Sequence, residues 1–306
     1  MTADIIAYGE PMVEFNQTGG AASRNYLQGF GGDTSNAIIA AARAGARTGY
    51  LTALGDDAYG RMFRDLWSAE GVDASRIKTD PAAHTAIYFV THDAAGHHFS
   101  FFRAGSAASR YQPSDLPLDY IGAAKILHVS GISLAISASA CDAGLAAMAA
   151  ARAAGVTVSL DTNLRLKLWP KTRARAILRE AMTLTDICLP SYDDIVALDG
   201  PTDPAAIIDD IQSLGPALVA LKMGGDGAVL ADGATRTVIP AHPCTPVDAT
   251  GAGDCFGGSF LARLVAGDTP VQAARYAGVA AALSTEGYGA VEPIPRAAVV
   301  MAALGR

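Results

Sequence analysis

The residues at 247–258, Val-Asp-Ala-Thr-Gly-Ala-Gly-Asp-Cys-Phe-Gly-Gly, combine small side chains with one well-placed carboxylate. Gly251, Ala252 and Gly253 stand just before Asp254, where an apolar, alanine-rich helical pattern begins. Small residues let backbone N–H groups approach an anion closely, and a helix N-terminus adds partial positive charge. A carboxylate beside a phosphate is repelled by it, so its presence indicates catalysis. Asp254 would take a proton from a hydroxyl while the amides hold the phosphoryl group under attack.

A second interpretation of this stretch is a glycine-rich turn in which Asp254 only caps the following helix, a common use of Asp. A cap requires neither the double-glycine turn nor the second glycine pair at 257–258. The anion-site interpretation is therefore favoured, and it predicts a kinase that acts on a small molecule.

The composition is that of a compact α/β enzyme. The 306 residues are 50% hydrophobic and only 17% charged, with 32 glycines, which excludes a disordered chain. A net charge of −7 argues against nucleic acid or an anionic membrane as partner. No apolar run is long enough to span a bilayer, and Asp4 and Glu10 stand where a secretory signal would be basic. Four cysteines without metal-ligand spacing suit a reducing compartment, so we expect a cytoplasmic protein.

Short apolar runs alternate with alanine-rich helical stretches along the chain. The strands are predicted at 5–8, 50–54, 125–129, 156–160, 186–189 and 218–222, and the helices at 34–44, 61–70, 139–154, 172–184 and 204–214. This alternation predicts a mostly parallel sheet with helices on both faces. Ligands then bind beyond the carboxyl ends of the strands, at the loops 161–165, 190–191 and 223–227.

One segment breaks this alternation. Two β-prone runs at 85–91 and 97–103 flank a turn, and they read as an antiparallel hairpin. Together with residues near 12–15 and 26–30 they predict a small separate sheet. Such a sheet is a natural lid that excludes water during phosphoryl transfer. We therefore expect one domain over 1–306, with lid segments at about 11–31 and 84–110 inserted in it.

These residues resemble the ribokinase (phosphofructokinase-B type) family of sugar kinases across essentially the whole chain. Gly31-Gly32-Asp33-Thr34-Ser35-Asn36-Ala37 is similar to the family's sugar-binding signature, and 248–254 is similar to its second signature. The phosphate site is not a P-loop, because no Gly-x-x-x-x-Gly-Lys-[Ser/Thr] run is present. The resemblance implies a ribokinase-like three-layer fold, Asp254 as general base, and an anion hole of the amides of 251–253.

The resemblance also implies ATP and Mg²⁺ as cofactors. The family's Asn-x-x-Glu metal motif reads Ser191-Tyr192-Asp193-Asp194 here, so Asp194 either orients water around Mg²⁺ or only caps a helix. Asp248 and Thr250 stand where family members sometimes bind a monovalent cation such as K⁺. Besides the glycines of the anion hole, the resemblance implies nucleotide contacts from Asn163, Ser191, Lys222, Gly224, Gly225, Gly227, Ala277 and Ser284. The adenine and ribose contacts among these are expected from Lys222, from the glycines of 224–227 and from the small residues near 277–284.

Within the family, the segments 9–13, 102–107 and 161–169 resemble those of kinases that act on 2-keto-3-deoxygluconate. Arg103 and Arg165 lie in two of them, and a guanidinium matches the carboxylate of a sugar acid with paired hydrogen bonds; ordinary surface or ion-pair arginines are the alternative. The other sugar contacts implied are Gly32, Asn36, Tyr88 and Phe101, the last without the hydroxyl of the tyrosine common there. The implied reaction is phosphorylation of the terminal hydroxyl.

Three other functions are compared with this one; the first stays open and the other two are disfavoured. Another sugar kinase, such as a fructokinase or a kinase for the galactonate epimer, fits the same signatures. A non-catalytic sugar-acid sensor would need neither Asp254 nor the cradle before it. A nucleotide-dependent oxidoreductase is disfavoured, because Gly9-Glu10-Pro11 replaces the Gly-x-Gly-x-x-Gly turn after the first strand. Association of identical subunits through the lid is also expected, since its edge and apolar face would otherwise be exposed.

Overall fold

The computed structural model describes residues 2–93, 96–198 and 200–305. Its strands are β1 (Ile5–Tyr8), β2 (Met12–Thr18), β3 (Asn25–Gly31), β4 (Thr48–Leu51), β5 (Ala53–Gly55), β6 (Val72–Asp73), β7 (Lys78–Asp80), β8 (Ile87–Asp93), β9 (Gly96–Phe102), β10 (Ile126–Ser130), β11 (Thr157–Asp161), β12 (Ile187–Cys188), β13 (Leu218–Lys222), β14 (Ala228–Asp232) and β15 (Thr235–Ile239). The helices are α1 (Asp33–Arg43), α2 (Ala58–Glu70), α3 (Leu118–Gly122), α4 (Gly131–Ala135), α5 (Ala138–Ala153), α6 (Lys171–Thr183), α7 (Tyr192–Ala197), α8 (Pro204–Leu214), α9 (Ala252–Val265), α10 (Pro270–Ser284) and α11 (Ala297–Ala303).

The larger sheet has nine strands in the order β15-β14-β13-β12-β11-β10-β1-β4-β6. Its strands run parallel from β13 to β6, and only β14 and β15 are antiparallel. The mostly parallel sheet predicted from the sequence is therefore confirmed. The predicted strand at 50–54 is divided into β4 and β5, because β5 leaves the sheet to pair with β7.

Helices cover both faces of this sheet, which gives three layers. Alternate residues of β1 point to opposite sides: Ile5 belongs to the core that includes residues of α1, α9 and α10, whereas Ile6 belongs to the core that includes residues of α5, α6 and α8. Small side chains allow α5 to lie close to the strands, and its residues Ala143 and Ala147 are fully buried. Because every central strand is buried on both faces, these strands read as continuous apolar runs.

The antiparallel edge formed by β14 and β15 was not predicted. Strand β15 carries exposed polar residues such as Thr235 and Arg236 and lacks the apolar run that marked the central strands, whereas β14 has a short apolar run, Ala-Val-Leu-Ala, that was not recognised. The glycine turn 224–227 joins β13 to β14 and is a hairpin bend as well as a wall of the cleft described below. Gly227 is required there, since its φ is 89° and an added Cβ would lie 2.2 Å from the Ile239 carbonyl oxygen.

The predicted lid sheet is confirmed as four strands in the order β3-β2-β8-β9. Strands β8 and β9 form the antiparallel hairpin, and β2 joins β8 in parallel and β3 in antiparallel register. Residues 94 and 95 of the predicted turn lie outside the described residues. Across the part of the chain described by the structure, no helix is both long and apolar enough to cross a membrane.

Candidate active site

Polar side chains gather where the parallel strands of the larger sheet end. Glu10 follows β1, Asp161 closes β11, Ser191 follows β12 and Lys222 closes β13. The N-termini of α1 and α9 face the same edge, and the lid covers it from β2 and β8. The site therefore lies at the carboxyl edge of the sheet, as expected for a parallel α/β fold.

The predicted anion cradle forms the start of helix α9. Gly251 is the N-cap residue with φ 77°, a left-handed conformation that favours glycine, and an added Cβ would meet Ala290 at 3.0 Å. The N–H of Ala252 donates to the Ala249 carbonyl at 3.2 Å. Because this amide is already engaged in the turn, Ala252 contributes less to an anion site than Gly251 and Gly253.

Helix α1 brings Asn36 to the predicted base. Its Nδ2 donates to Asp254 Oδ2 at 2.9 Å, and the two helices meet closely because Gly258 has no side chain: an added Cβ would lie 1.9 Å from the Ala37 carbonyl oxygen. Burial raises the pKa of Asp254 well above its usual range, and the neighbouring Asp33 carboxylate raises it further. Gly258 thus serves the docking of α9 on α1, whereas Gly257 lies against Leu189, where an added Cβ would be 3.3 Å from its side chain.

The ammonium of Lys222 lies at the cradle. It pairs with Asp161 Oδ2 at 2.5 Å, and Nζ is 3.4 Å from the position of a Cβ on Gly253. The side chain is largely buried, with 11% exposed. The long side chain leaves β13 toward α9, so its ammonium lies beside Gly253, while the residue also lines the cavity described next; the adenine or ribose contact stays a prediction.

A cavity of about 800 Å³ extends from the cradle between β13, β14 and helix α10. Backbone and small or apolar side chains dominate its wall. The predicted nucleotide contacts that line it are Ser191, Lys222, Gly224, Gly225, Gly227 and Gly253, and further lining residues include Ile239, Phe256, Gly278, Ala281, Ala282 and Thr285. Its size and shape suit the adenosine part of a nucleotide.

Two predicted nucleotide contacts on α10 do not line this cavity. Ala277 is fully buried, and Ser284 is buried with its hydroxyl donating to the Ala281 carbonyl at 2.8 Å. The helical repeat turns both residues into the core and presents Gly278 and Ala282 to the cavity instead. The two predicted residues therefore lie on the core face of α10, and their neighbours are the residues available to a ligand in the cavity.

Asn163 and Asp194 lie on the loop side of the cleft. Asn163 was predicted to contact the nucleotide, yet its Nδ2 donates to Asp33 Oδ2 at 3.2 Å. Asp194 Oδ2 accepts from the Leu164 amide at 3.0 Å, and burial raises its pKa. Asp194 lies in the first turn of α7, whose N-cap residue Ser191 makes no side-chain cap, so a structural role at this helix start and a role near Mg²⁺ both stay predictions for Asp194.

The described residues contain no group of three His, Cys, Asp or Glu side chains that could hold a metal ion. Mg²⁺ needs few protein ligands when phosphates and water complete its shell, so a single carboxylate such as Asp194 fits that use. Asp248 accepts from the Thr250 amide at 2.9 Å and from the Gly289 amide at 3.0 Å. The monovalent cation at these residues stays a prediction.

The two predicted carboxylate-binding arginines lie in different environments. Arg103 is 12% exposed and pairs at 2.5 Å with Glu10, whose other oxygen accepts from Ser106 at 2.6 Å. The Arg103 guanidinium also lies 5.9 Å from the centre of the Phe101 ring. Arg165 is exposed, and it donates to the adjacent Leu164 carbonyl at 2.8 Å. Arg103 is thus built into the base of the lid, whereas Arg165 lies at the rim.

Tyr88 reaches the cleft from the lid, but its hydroxyl already donates to Glu14. Both side chains are buried, and the Tyr88 ring lies 5.6 Å from that of Phe101. The charges of Asp248 and Asp254 act on Tyr88, which places it toward the reaction centre. A substrate hydroxyl can therefore donate to the Tyr88 oxygen but cannot take its proton.

Gly32 holds the turn that starts α1. Its φ is 108°, and an added Cβ would lie 2.5 Å from the Glu10 carbonyl oxygen. No larger residue fits, so the turn keeps Asp33 and Asn36 against the cleft floor. The sequence assigned no site role to Glu10, Glu14, Asp33 or Asp161, although all four lie within segments singled out there. The acidic residue after a predicted strand end was the available signal for Asp161.

The chain is similar to known carbohydrate kinases over nearly its whole length. A family model described as pfkB family carbohydrate kinase matches residues 2–297. A 2-dehydro-3-deoxygluconokinase from Thermoproteus tenax is 34% identical over 95% of this chain and 91% of its own length. A fructokinase-2 from Solanum habrochaites is 31% identical over 98% of this chain and 95% of its own.

Solved structures agree with this grouping. The crystal structure of an Escherichia coli protein assigned as ribokinase II, in complex with ATP and Mg²⁺, superimposes with a TM-score of 0.91 at 26% identity and covers 99% of both chains. The three-layer fold, with its small lid sheet, is accordingly ribokinase-like. The chain belongs to the pfkB family of carbohydrate kinases, and it is a phosphotransferase.

Proposed function

We propose that this chain uses ATP to phosphorylate the terminal hydroxyl of 2-keto-3-deoxygluconate, which gives 2-keto-3-deoxy-6-phosphogluconate. The observation that carries the substrate is Arg103, a largely buried guanidinium at the base of the lid. A neutral hexose carries no anionic group that could pair with this cation. The similarity to the Thermoproteus tenax enzyme supports the same substrate.

The reaction needs one proton acceptor and one charge-stabilising site. Asp254 takes the proton of the terminal hydroxyl, and the oxygen attacks the γ-phosphorus of ATP. The bond from that phosphorus to the β–γ bridging oxygen breaks, and ADP leaves with both electrons of the bond. Lys222 and the amides of Gly251 and Gly253 stabilise the negative charge on the moving phosphoryl group. When bound, Mg²⁺ neutralises phosphate charge; Asp194 would hold its water shell.

Arg103 retains donors for the substrate although it pairs with Glu10. A guanidinium carries five N–H donors, and the ion pair uses only part of them while it fixes the direction of the side chain. The substrate carboxylate then meets a pre-oriented cation, and the Phe101 ring shields the pair from water. Arg165 contributes from the rim, where solvent weakens its charge.

A substrate panel tests the proposal. Coupled ADP release is measured with the gluconate-derived and galactonate-derived keto-acids, fructose and ribose. We expect kcat/KM for a keto-acid to exceed that for fructose by at least about tenfold, since a neutral sugar offers no carboxylate to the Arg103 donors that the pair with Glu10 leaves unused. Equal or better use of fructose would identify a fructokinase, as the Solanum habrochaites relative favours. Sugar-acid binding without ADP release would identify a sensor.

We further propose that two copies of the chain associate through the lid in the cytoplasm. The lid exposes Leu27, Phe99 and Phe102, with 62%, 48% and 56% of their surface free. Exposed apolar patches of this kind mark protein interfaces. Light scattering should give at least a dimer, and Leu27→Glu should shift it toward monomer; a monomeric wild type excludes this association.

A further inference from the structure

Arg43 is the last residue of α1, and its guanidinium is buried against the segment that follows α10. Only 8% of the side chain is exposed. Nε and Nη2 donate to the two carboxylate oxygens of Glu70 on α2, at 3.0 and 2.8 Å. Nη1 donates to three backbone carbonyls, those of Val291, Glu292 and Ile294, at 3.0, 3.3 and 2.6 Å. One side chain therefore joins both helices to the loop between α10 and α11.

The conformation of this loop depends on the buried cation. The loop, residues 286–296, has neither a strand nor a helix in the described part of the chain. Three carbonyl dipoles that point at one place repel one another unless a positive charge lies there. Glu70 is only 9% exposed, and a buried ion pair of this kind adds little net stability over apolar side chains. The contact of Arg43 with the loop instead fixes where the carbonyls lie.

The same loop also supports the anion cradle. The Gly289 amide donates to Asp248 Oδ2 at 3.0 Å. Ala290 is buried, and it lies so close to Gly251 that a Cβ added to this glycine would be 3.0 Å from the Ala290 carbonyl oxygen. The N-cap of α9 and the turn before it thus rest on two residues that immediately precede the carbonyls held by Arg43.

Helix α1 consequently acts on both parts of the reaction centre. Asn36 holds the carboxylate of Asp254 at 2.9 Å, and Arg43 stands seven residues later, two turns along the same face. The base is held from the first half of the helix, and the cradle is held from its last residue through the loop. Because positioning supplies most of the catalysis in phosphoryl transfer, one helix with both contacts can keep the base and the cradle in register.

We propose that Arg43 is a positioning residue for phosphoryl transfer: through the carbonyls of 291–294 it sets Ala290 against Gly251, and so aligns the cradle with Asp254. Arg43 itself would touch neither substrate. The inference rests on the part of the proposed function that places the transferred phosphoryl group at the cradle, and it does not depend on which sugar accepts that group. Loss of the guanidinium should let the loop and the cradle shift while the sugar half keeps its contacts.

Steady-state kinetics with an ion-pair control test this role. Arg43→Ala should lower kcat by about 10- to 100-fold, since a displacement of about 1 Å at a reacting group can cost about 10²-fold. KM for the sugar should change less than about twofold, because its binding groups stay in place. Arg43→Lys keeps a positive charge for the carbonyls and should recover part of the loss. Arg263→Ala is the matched control: it removes another two-bond ion pair, with Asp268 at the far end of α9, and should leave kcat unchanged.

A double-variant cycle separates positioning from folding. Ala290→Gly loosens the contact with Gly251 and leaves the partners of Arg43 in place. Since both changes act on the cradle, Arg43→Ala/Ala290→Gly should lower kcat little more than the worse single change, whereas independent effects would multiply. Melting temperatures are measured for every variant, and rates are taken well below the lowest of them. A kcat of Arg43→Ala within about threefold of wild type, an Ala290→Gly variant without effect, or losses that multiply would each overturn the assignment.

Milder substitutions are available if Arg43→Ala does not fold. Arg43→Lys and Glu70→Gln, which weakens the hold on the guanidinium, then carry the same comparison, and both should lower kcat without raising KM for the sugar. A wild type that is inactive on the keto-acid but active on another sugar rejects the proposed substrate alone. The Arg43 variants are then measured with that sugar, and their kcat decides the positioning role.

Discussion

On the proposed function the cleft has a nucleotide half and a sugar half, and the two differ in the residues that form them. The nucleotide half is a cavity walled by backbone, glycine, alanine and a few apolar side chains such as Ile239 and Phe256. The sugar half is lined by buried charges in specific pairs, among them Glu10 with Arg103. A wall of backbone and small side chains can select a nucleotide by shape, whereas discrimination among sugars requires polar groups at fixed positions. Substitutions in the two halves should therefore have separable kinetic effects.

The largest effect is expected where the halves meet, at Asp254. Asp254→Asn keeps the shape and the contact with Asn36 but removes the proton acceptor. Turnover should fall by about 10²–10⁴-fold, with little change in KM for either substrate because neither half loses its binding groups. Initial rates at saturating ATP and sugar measure this, with Asp232→Asn on the exposed end of β14 as control. Near-normal turnover in a folded variant would remove Asp254 from the mechanism.

Lys222 connects the halves, since it pairs with an acid of the sugar side and lies beside the cradle. Lys222→Met should lower kcat by about 10²-fold, the usual worth of one stabilising donor for the transferred group. The substitution also leaves Asp161 buried and unpaired, at a cost of about 3–5 kcal/mol of stability. The double variant Asp161→Asn/Lys222→Met should regain stability by thermal melting while turnover stays low. Recovery of both would show that Lys222 is only structural.

The same contrast governs what could be predicted from sequence. Gly251 and Asp254 were identifiable because a left-handed turn and a helix start impose residue types locally. Lys222 was predicted as a nucleotide contact, but the sequence did not indicate that its ammonium would lie beside Gly253. The direction of a long side chain depends on packing. Ala277 and Ser284 face the core and not the cavity, because sequence indicates which residues of a helix face a ligand only to within a few positions.

The buried acids of the sugar half were the harder case. Asp33 lies within a recognised signature, yet nothing local indicates that one of its oxygens would be buried without a donor among the described residues. The roles of Glu10 and Glu14 depend on their contacts with Arg103 and Tyr88, which are distant in the chain. Their chemistry arises from long-range contacts, whereas a mostly parallel sheet with helices on both faces follows from the alternation of strands and helices along the chain.

The sugar half should also set the pH dependence. Asp254 acts as a base only when ionised, and burial together with Asp33 raises its pKa. The protonated, inactive fraction therefore grows as pH falls through that raised pKa, and kcat/KM for the sugar should fall up to tenfold per pH unit on the acid side. Asp33→Asn removes one repelling charge and leaves Asp161 and Lys222 in place, so its acid limb should move to lower pH. An unchanged limb would show that another group controls it.

The smallest effect is expected in the nucleotide half, where shape rather than charge is altered. Ala281 lies on the cavity face of α10, and Ala281→Val adds two methyl groups to the space for the nucleotide. Overpacking of this size costs about 1 kcal/mol, so KM for ATP should rise roughly fivefold. KM for the sugar should stay constant, because no charged group of the other half moves. Ala298→Val, on the exposed face of α11, controls for the helix propensity of valine. A matching rise in the sugar KM would show that the two halves are coupled through α10 and would end their treatment as separate recognition surfaces.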